Sequence, residues 1–379
     1  LSSITSNHPA TKDLRCWAEV SVGALHHNLA ALRTRAPGVG IMAVVKANAY
    51  GHGLPEITTA LAGRVEMFGV ANVTEARECA RHAGGTPILL LGAALPAERR
   101  VAVEEGFIPA ISSLEEAYAY SALARPEGGR PVRVHLAIDT GMGRMGAWPE
   151  EAAQLAKAIA ASPGLELAGL CSHLPSADED ADFTRAQLGA FHTLVAGLRA
   201  SAAEGSTIHV ENSAGLIAFP AQAGTLARAG LALYGVSPIP EFQPSLQPVL
   251  TWKTRVLMVR DYPAGHGVSY GRTFLTPGPM RVGTLAAGYA DGVQRQMSGR
   301  GACVLIRGQR CPLLGRVTMD QIMVDVSAVS TTGPGDEAVL IGTQGEETIS
   351  AAEMAGWAGT IPWHVFTSLG PRVVRVVRE

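Results

Sequence analysis

Lys46 closes the apolar run "AVVK" at residues 43–46, with Tyr50, His52 and the glycines Gly51 and Gly53 directly behind it. An amine at the end of a buried strand either escapes to water along its methylene stem or is wanted by something inside. Other unusual polar residues stand at comparable places: Asp139 and Arg144 in "DTGMGRMG", His173 in "CSHLPSADE", Asn212 and Ser213 in "HVENSAG", and Arg228 to Gly230 in "RAG". Each alone has a structural reading: a snorkelling lysine, a surface arginine, a satisfied histidine, a helix-capping asparagine or serine. Ser213, beside small residues at a helix start, suits a phosphate monoester as well as it suits a simple cap. A lysine amine and a phosphate cradle together point to pyridoxal 5′-phosphate, held by a Schiff base to Lys46. No glycine-rich dinucleotide fingerprint competes.

Those residues need a scaffold that gathers them. Eight β-rich runs alternate with helical patterns: 41–46, 67–71, 87–92, 107–111, 132–139, 166–172, 207–211 and 226–231. Alanine- and leucine-rich segments such as 113–124 and 149–161 lie between them and read as amphipathic helices. Eight β-then-α units in so short a length predict a TIM-like (β/α)8 barrel of parallel strands. In such a barrel chemistry belongs where strands end, and the loops after the seventh and eighth strands commonly hold phosphate. The polar residues named above fall there. Past residue 245 the pattern changes to short β-branched runs separated by glycines, prolines and charges, with helical potential only near 350–359. This predicts a barrel over 1–245 and a mostly antiparallel β domain over 246–379.

The bulk properties agree with an ordinary globular enzyme. The 379 residues are 47% hydrophobic and 17% charged, ample for a large core. A net charge of −2 without a basic run gives nucleic acid no footprint. The longest apolar stretch, 87–97, is interrupted by Gly92 and too short to span a bilayer. The first residues lack the charged-then-apolar order of a signal peptide, and the chain begins on Leu1 rather than Met, which fits a start further upstream. Five cysteines without a Cys-x-x-Cys pair fit neither a disulfide framework nor a zinc site, so buried free thiols, no metal and a cytoplasmic setting are expected.

From "WAEVSVGALHHNL" to "GPRVVRVV" the chain resembles the alanine racemases, fold-type III pyridoxal-phosphate enzymes. "VVKANAYGHG" carries the resemblance most specifically, followed in order by "DTGMGRMG", "VSYGRT", "GYADG" and "GRVTMDQ". The resemblance implies interconversion of L- and D-alanine, a peptidoglycan precursor, by two bases on opposite faces of Cα: Lys46 and Tyr270. It implies a head-to-tail homodimer in which Tyr270 reaches the site of the other subunit. Arg228 would face the pyridine nitrogen with His173 as its buttress. Tyr50, Ser213, Gly230 and Leu231 would hold phosphate, with Asn212 in the same polar network. Arg144 and, on the loop reaching in from the partner subunit, Met319 through its backbone N–H and Asp320 would serve the substrate carboxylate, and Tyr289, Arg295 and Arg316 would line the access route. Three positions depart from the family pattern. Ala137 stands where many members carry a carbamylated lysine, so an anion such as chloride is expected to orient Arg144. Pro371 replaces a tyrosine and Thr318 a cysteine. These departures leave a serine or broad-specificity racemase as the alternative activity. A fold-type III decarboxylase lacks support, and a non-catalytic pyridoxal-phosphate carrier would lack the β domain present here.

Overall fold

The computed structural model describes residues 11–124, 130–220 and 224–379, and the signal-peptide reading of the first residues lies largely outside them. Two units result: one comprises residues 25–49 and 54–247, the other the described residues up to 24 together with 50–53 and 248–379. β1 (Cys16–Ser21) belongs to the second unit. The first unit holds β2 (Gly40–Val44), β3 (Met67–Val70), β4 (Ile88–Leu90), β5 (Ile108–Ile111), β6 (Val132–Ala137), β7 (Leu165–Cys171), β8 (Thr207–His209) and β9 (Leu226–Ala229). All eight predicted runs are strands, paired in parallel in the order β8-β7-β6-β5-β4-β3-β2-β9. The seam between β8 and β9 is crossed by the Arg228 N–H, which donates to the Glu211 carbonyl at 3.0 Å. That bond nearly closes the barrel, with helices between successive strands.

Strand parity explains which side chains face inward. Met42, Met67, Leu89, Ile108 and Leu226, from five strands, form one buried cluster in the barrel interior. Lys46 shares the parity of Met42, and Arg228 that of Leu226, so both continue inward-facing columns toward the strand ends. A second interior cluster, Ala110, Ala137 and Cys171, is built only of small residues. Bulky side chains thus fill one part of the barrel and small ones line another.

The second unit continues with β10 (Leu250–Tyr262), β11 (Gly267–Val268), β12 (Phe274–Leu275), β13 (Met280–Leu285), β14 (Cys303–Ile306), β15 (Gln309–Leu314), β16 (Ile322–Asp325), β17 (Glu337–Gln344), β18 (Glu347–Ile349) and β19 (Val374–Arg378). Its main sheet runs β18-β17-β14-β15-β16-β13-β10-β1-β19, and β17 also pairs with β10, so six strands close on themselves. Pairing is antiparallel except between β1 and β19. The barrel therefore does not begin at residue 1, as the composition shift suggested. Cys16–Ser21 pairs with Leu250–Thr254 on one side and Val374–Arg378 on the other, a long-range choice that no local pattern announces. Two helices occur near the carboxyl end rather than one: Ala351–Ala358, capped by Ser350, and Pro362–Thr367. The second escapes sequence reading because it is short and rich in aromatic and β-branched residues, and only Pro362 at its first turn marks it.

All five cysteines are free and buried. Among the described residues no helix is long and apolar enough to cross a membrane, and no three His, Cys, Asp or Glu side chains group as metal ligands.

Candidate active site

Lys46 lies two residues past the end of β2, and the chain then turns left-handed: Ala47, Asn48, Ala49 and Tyr50 all have φ between 52° and 54°. Each non-glycine residue held so costs about 1–2 kcal/mol, and such a turn persists only where its surroundings dictate it. Here they do. The Glu75 carboxylate accepts from the N–H of Ala47 and of Ala71, each at 2.8 Å, and Asn48 Oδ1 accepts from the Leu54 N–H at 2.7 Å. The Ala49 N–H donates back to the Val45 carbonyl at 2.8 Å. Glu75 escapes a motif-based reading, because it acts on the Ala47 backbone next to Lys46 from a helical position 28 residues downstream; an acidic residue in a first helical turn gives no hint of that.

The Lys46 amine is half-buried and has neither hydrogen bond nor ion pair among the described residues. Burial lowers its pKa, the nearby Arg144 lowers it further, Glu75 opposes, and Arg228 adds to the fall. The site thus holds an amine more readily neutral than an ordinary lysine, as condensation with a carbonyl requires.

Arg228 is buried, and its donors are almost all spent. Nη1 donates to His209 Nδ1 at 2.6 Å and to the His209 carbonyl at 2.9 Å. Nη2 donates to the carbonyls of Ser172 at 2.6 Å and Val210 at 2.7 Å, and to His173 Nδ1 at 3.0 Å. Only the Nε–H has no partner among the described residues. Burial lowers the Arg228 pKa, but a guanidinium remains charged near neutrality.

Because arginine cannot accept a hydrogen bond, it dictates the direction of the whole chain behind it. His209 Nδ1 must accept, so His209 Nε2 carries the proton and donates to His135 Nδ1 at 2.9 Å. His135 Nε2–H then faces Thr207 Oγ1 at 3.3 Å. Gly169 gives the His135 ring its room: a Cβ there would lie 2.7 Å from three ring atoms. These two histidines, in "VHLAID" and "TIHVE", belong to the site but are hidden in sequence, since inward parity is their only signal.

The same histidines set an acid limit on stability. Burial first, then positive neighbours, push His135 and His173 down to about 3 and His209 well below its ordinary value of 6.5. The unfolded chain therefore binds more protons from pH 6.5 down toward 3, and stability falls as pH drops through that window. At about pH 5 the loss should reach about 2 kcal/mol for His135, with His209 adding in the same direction. Urea titrations at neutral pH and at about pH 5 should show a clear fall in midpoint. Equal midpoints would mean that these imidazoles are already charged in the fold.

The loop bearing Arg144 is shaped by Asp139. Its carboxylate accepts from the N–H of Gly141 at 2.9 Å, Met142 at 2.8 Å and Arg144 at 3.2 Å. Burial alone would raise its pKa, but these backbone bonds hold it below the usual carboxylate range. Gly146 has φ +120°, and a Cβ there would meet the Asp139 nitrogen at 2.5 Å. The Arg144 guanidinium is exposed and unpartnered among the described residues. Ala137 packs with Ala110 and Cys171.

Ser213 sits where the spacing predicts, at the first turn of the short helix Ser213–Ala218. Its Oγ accepts from the N–H of Gly230 at 2.9 Å and of Ala232 at 3.3 Å, leaving the hydroxyl proton to donate. Leu231 opens a 3-10 turn, Leu231–Tyr234, on the same loop. Asn212 is the cap of the helix: Oδ1 accepts from Gly215 and Nδ2 donates to the Leu174 carbonyl. Its amide is thus committed to holding the loop. Lys46, Arg144, His173, Asn212, Ser213, Arg228, Gly230 and Leu231 all belong to the barrel unit.

Tyr50 groups instead with the β unit, where Gly51 packs so closely that a Cβ would lie 2.0 Å from the Phe366 carbonyl. Burial pushes the Tyr50 phenol up to about 12. Tyr270, Tyr289, Arg295, Arg316, Met319 and Asp320 also belong to the β unit. Tyr270 is 71% exposed on a turn held by Ser269 at φ 65° and Gly271 at φ 71°, with Ser269 Oγ donating to the Arg316 carbonyl at 2.6 Å. Thr318 closes the turn ahead of β16: its Oγ1 donates to the Gln321 carbonyl at 2.7 Å. Asp320 gives its carboxylate to Arg372, a partner that sequence reasoning missed.

The residues around the barrel mouth fit pyridoxal phosphate. An amine whose pKa is lowered, a serine proton beside backbone N–H groups, and one unspent donor among the described residues on a buried cation match its aldehyde, phosphate and ring nitrogen.

Comparison with known proteins agrees. The profile "Alanine racemase, N-terminal domain" matches residues 20–238 and "Alanine racemase, C-terminal domain" matches 249–377. An alanine racemase of Symbiobacterium thermophilum is 42% identical over 95% of this chain and 96% of its own. One of Desulfosudis oleivorans is 41% identical over 96% and 97%. The crystal structure of alanine racemase from D-cycloserine-producing Streptomyces lavendulae superposes with a TM-score of 0.90 at 36% identity, covering 97% of each chain. That of Bacillus anthracis with bound L-Ala-P gives 0.89 at 32%, covering 98% and 96%. Matched across both units, the chain belongs to the alanine racemase family.

Proposed function

We propose that the protein interconverts L-alanine and D-alanine by passing the Cα proton between Lys46 Nζ on one face and Tyr270 Oη on the other. The observation that carries this reading is the pairing of a lysine amine lowered in pKa with a buried arginine whose only unspent donor among the described residues is Nε–H. Pyridoxal phosphate, when bound, supplies an aldehyde for the substrate amine and a conjugated ring that takes up charge from Cα. Arg228 donates to the ring nitrogen without surrendering its proton, which keeps charge close to Cα and favours its reprotonation there over transamination. His173, His209 and His135, all neutral, hold the guanidinium in place without competing for its charge. Ser213 and the Gly230–Leu231 turn carry the phosphate, with Tyr50 completing that cradle. Arg144 and, from the second subunit, the Met319 N–H receive the substrate carboxylate. Tyr289, Arg295 and Arg316 line the route by which a small amino acid enters. Tyr270, exposed within its own chain, is supplied by the second subunit of a head-to-tail homodimer, and the protein works in the cytoplasm.

The test is chiral analysis of L-alanine, L-serine, L-arginine and L-lysine incubated separately with cofactor-loaded protein. Conversion of alanine well ahead of the others is the expected result. Comparable conversion of the larger amino acids would make the protein a broad racemase, with Thr318 and Pro371 the first positions to examine. No conversion of any would sink the reading.

A further inference from the structure

Tyr289 and Met319 come from two loops, 288–292 and 318–321, that no strand pairing joins. Two backbone bonds connect them: the Tyr289 N–H donates to the Thr318 carbonyl at 2.9 Å, and the Ala290 N–H to the Met319 carbonyl at 3.0 Å. Gly288 lets them approach, since a Cβ there would sit 2.3 Å from the Met319 oxygen. One side chain ties both. Arg372 donates from Nε and Nη2 to the two Asp291 oxygens at 2.9 and 2.8 Å, and from Nη1 to Asp320 Oδ1 at 2.7 Å. Asp291 is buried and is itself fixed, accepting from the Gly288 N–H at 2.8 Å. A guanidinium suits this task because its donors form a rigid fork that can serve two carboxylates at once.

We infer that Arg372 is a positioning residue for the reaction: its bridge between Asp291 and Asp320 fixes the 318–321 turn against the 288–292 loop. That fixes where the Met319 N–H and the Tyr289 phenol are presented. The inference rests on the function proposed above, in which these two loops meet the substrate. It assigns Asp320 a role through Arg372 rather than a direct contact with substrate. Two carboxylates sharing one cation across two loops would otherwise repel and part.

Removing Arg372 outright would strand the buried Asp291 charge and risk the fold. Arg372→Lys and Asp320→Asn are the better variants, since each keeps Asp291 paired while breaking the bridge. Both should raise the KM for alanine about tenfold, as expected for a lost charge-assisted hydrogen bond, with kcat within about threefold. The double variant should be no worse than either single one, because the two changes cut one link. Amide hydrogen exchange at Tyr289 and Ala290 should speed up in all three proteins. A KM raised by Asp320→Asn but not by Arg372→Lys would overturn the inference, because the carboxylate would then act on substrate itself. Additive losses, or unchanged exchange at Tyr289 and Ala290, would overturn it too. If the wild-type protein racemises nothing, the proposed function fails on its own, while the exchange rates still judge the bridge.

Discussion

Lys46→Ala should abolish racemisation, by at least about 10⁴-fold, and should remove the visible absorbance that the cofactor acquires on condensing with the amine. Two contributions vanish together: covalent anchoring of the cofactor and proton transfer on one face of Cα. Nothing nearby can replace them. Arg144 and Arg228, the cations that with burial lower the Lys46 pKa, are guanidinium groups that hold their protons. The barrel should survive the change, because Lys46 is half-buried, unpaired, and outside the strand that ends at Val44. Thermal denaturation should therefore move little while activity disappears. A retained visible band in the variant would mean that another amine holds the cofactor and that Lys46 is misassigned.

Tyr270→Phe is expected to slow turnover by about 10²–10⁴-fold, the range for loss of one general acid–base group. The effect on proton exchange should be lopsided. Abstraction of the proton from L-alanine should suffer most, and deuterium wash-in from solvent should distinguish the two directions. Phenylalanine preserves the ring, so binding of cofactor should be close to wild type. Stability should change by less than about 0.5 kcal/mol, because the side chain is 71% exposed. Racemisation must slow equally in both directions because its equilibrium constant is one, but equal loss of deuterium wash-in from L- and from D-alanine would contradict the assignment of one base to each face. An unchanged rate would remove Tyr270 from the chemistry altogether.

Much of this architecture is legible in local pattern. The eight barrel strands are short apolar runs bounded by polar residues at their ends, and hydrophobic burial makes such runs strands wherever helices alternate with them. The ends carry Lys46, Asp139, His173, Ser213 and Arg228, because a parallel barrel concentrates loop-borne polar groups on one face. Those residues are recognisable by type and position alone. The β domain shows through its β-branched runs and turn residues.

What was not legible depends on partners far away in the chain. Cys16–Ser21 joins the β domain because residues 250–254 and 374–378 offer it backbone partners, and local sequence does not encode a hydrogen bond across hundreds of residues. Glu75 holds the left-handed turn beside Lys46 only because a strand and a helix bring it there. Ala137 meets Ala110 and Cys171 only because two neighbouring strands contribute them. His135 and His209 become a directed chain only when β6, β8 and Arg228 on β9 meet around one barrel.

By itself the amino-acid sequence determined the strand pattern, the place of Lys46 at a strand end and the family, since those follow from residue type, spacing and short-range propensity. Tertiary structure alone decided the tautomers of the histidines, the burial that lowers Lys46, the single donor left on Arg228, and the bridge at Arg372. Each of these depends on which groups lie within hydrogen-bond reach, and on how much water the packed barrel leaves around them.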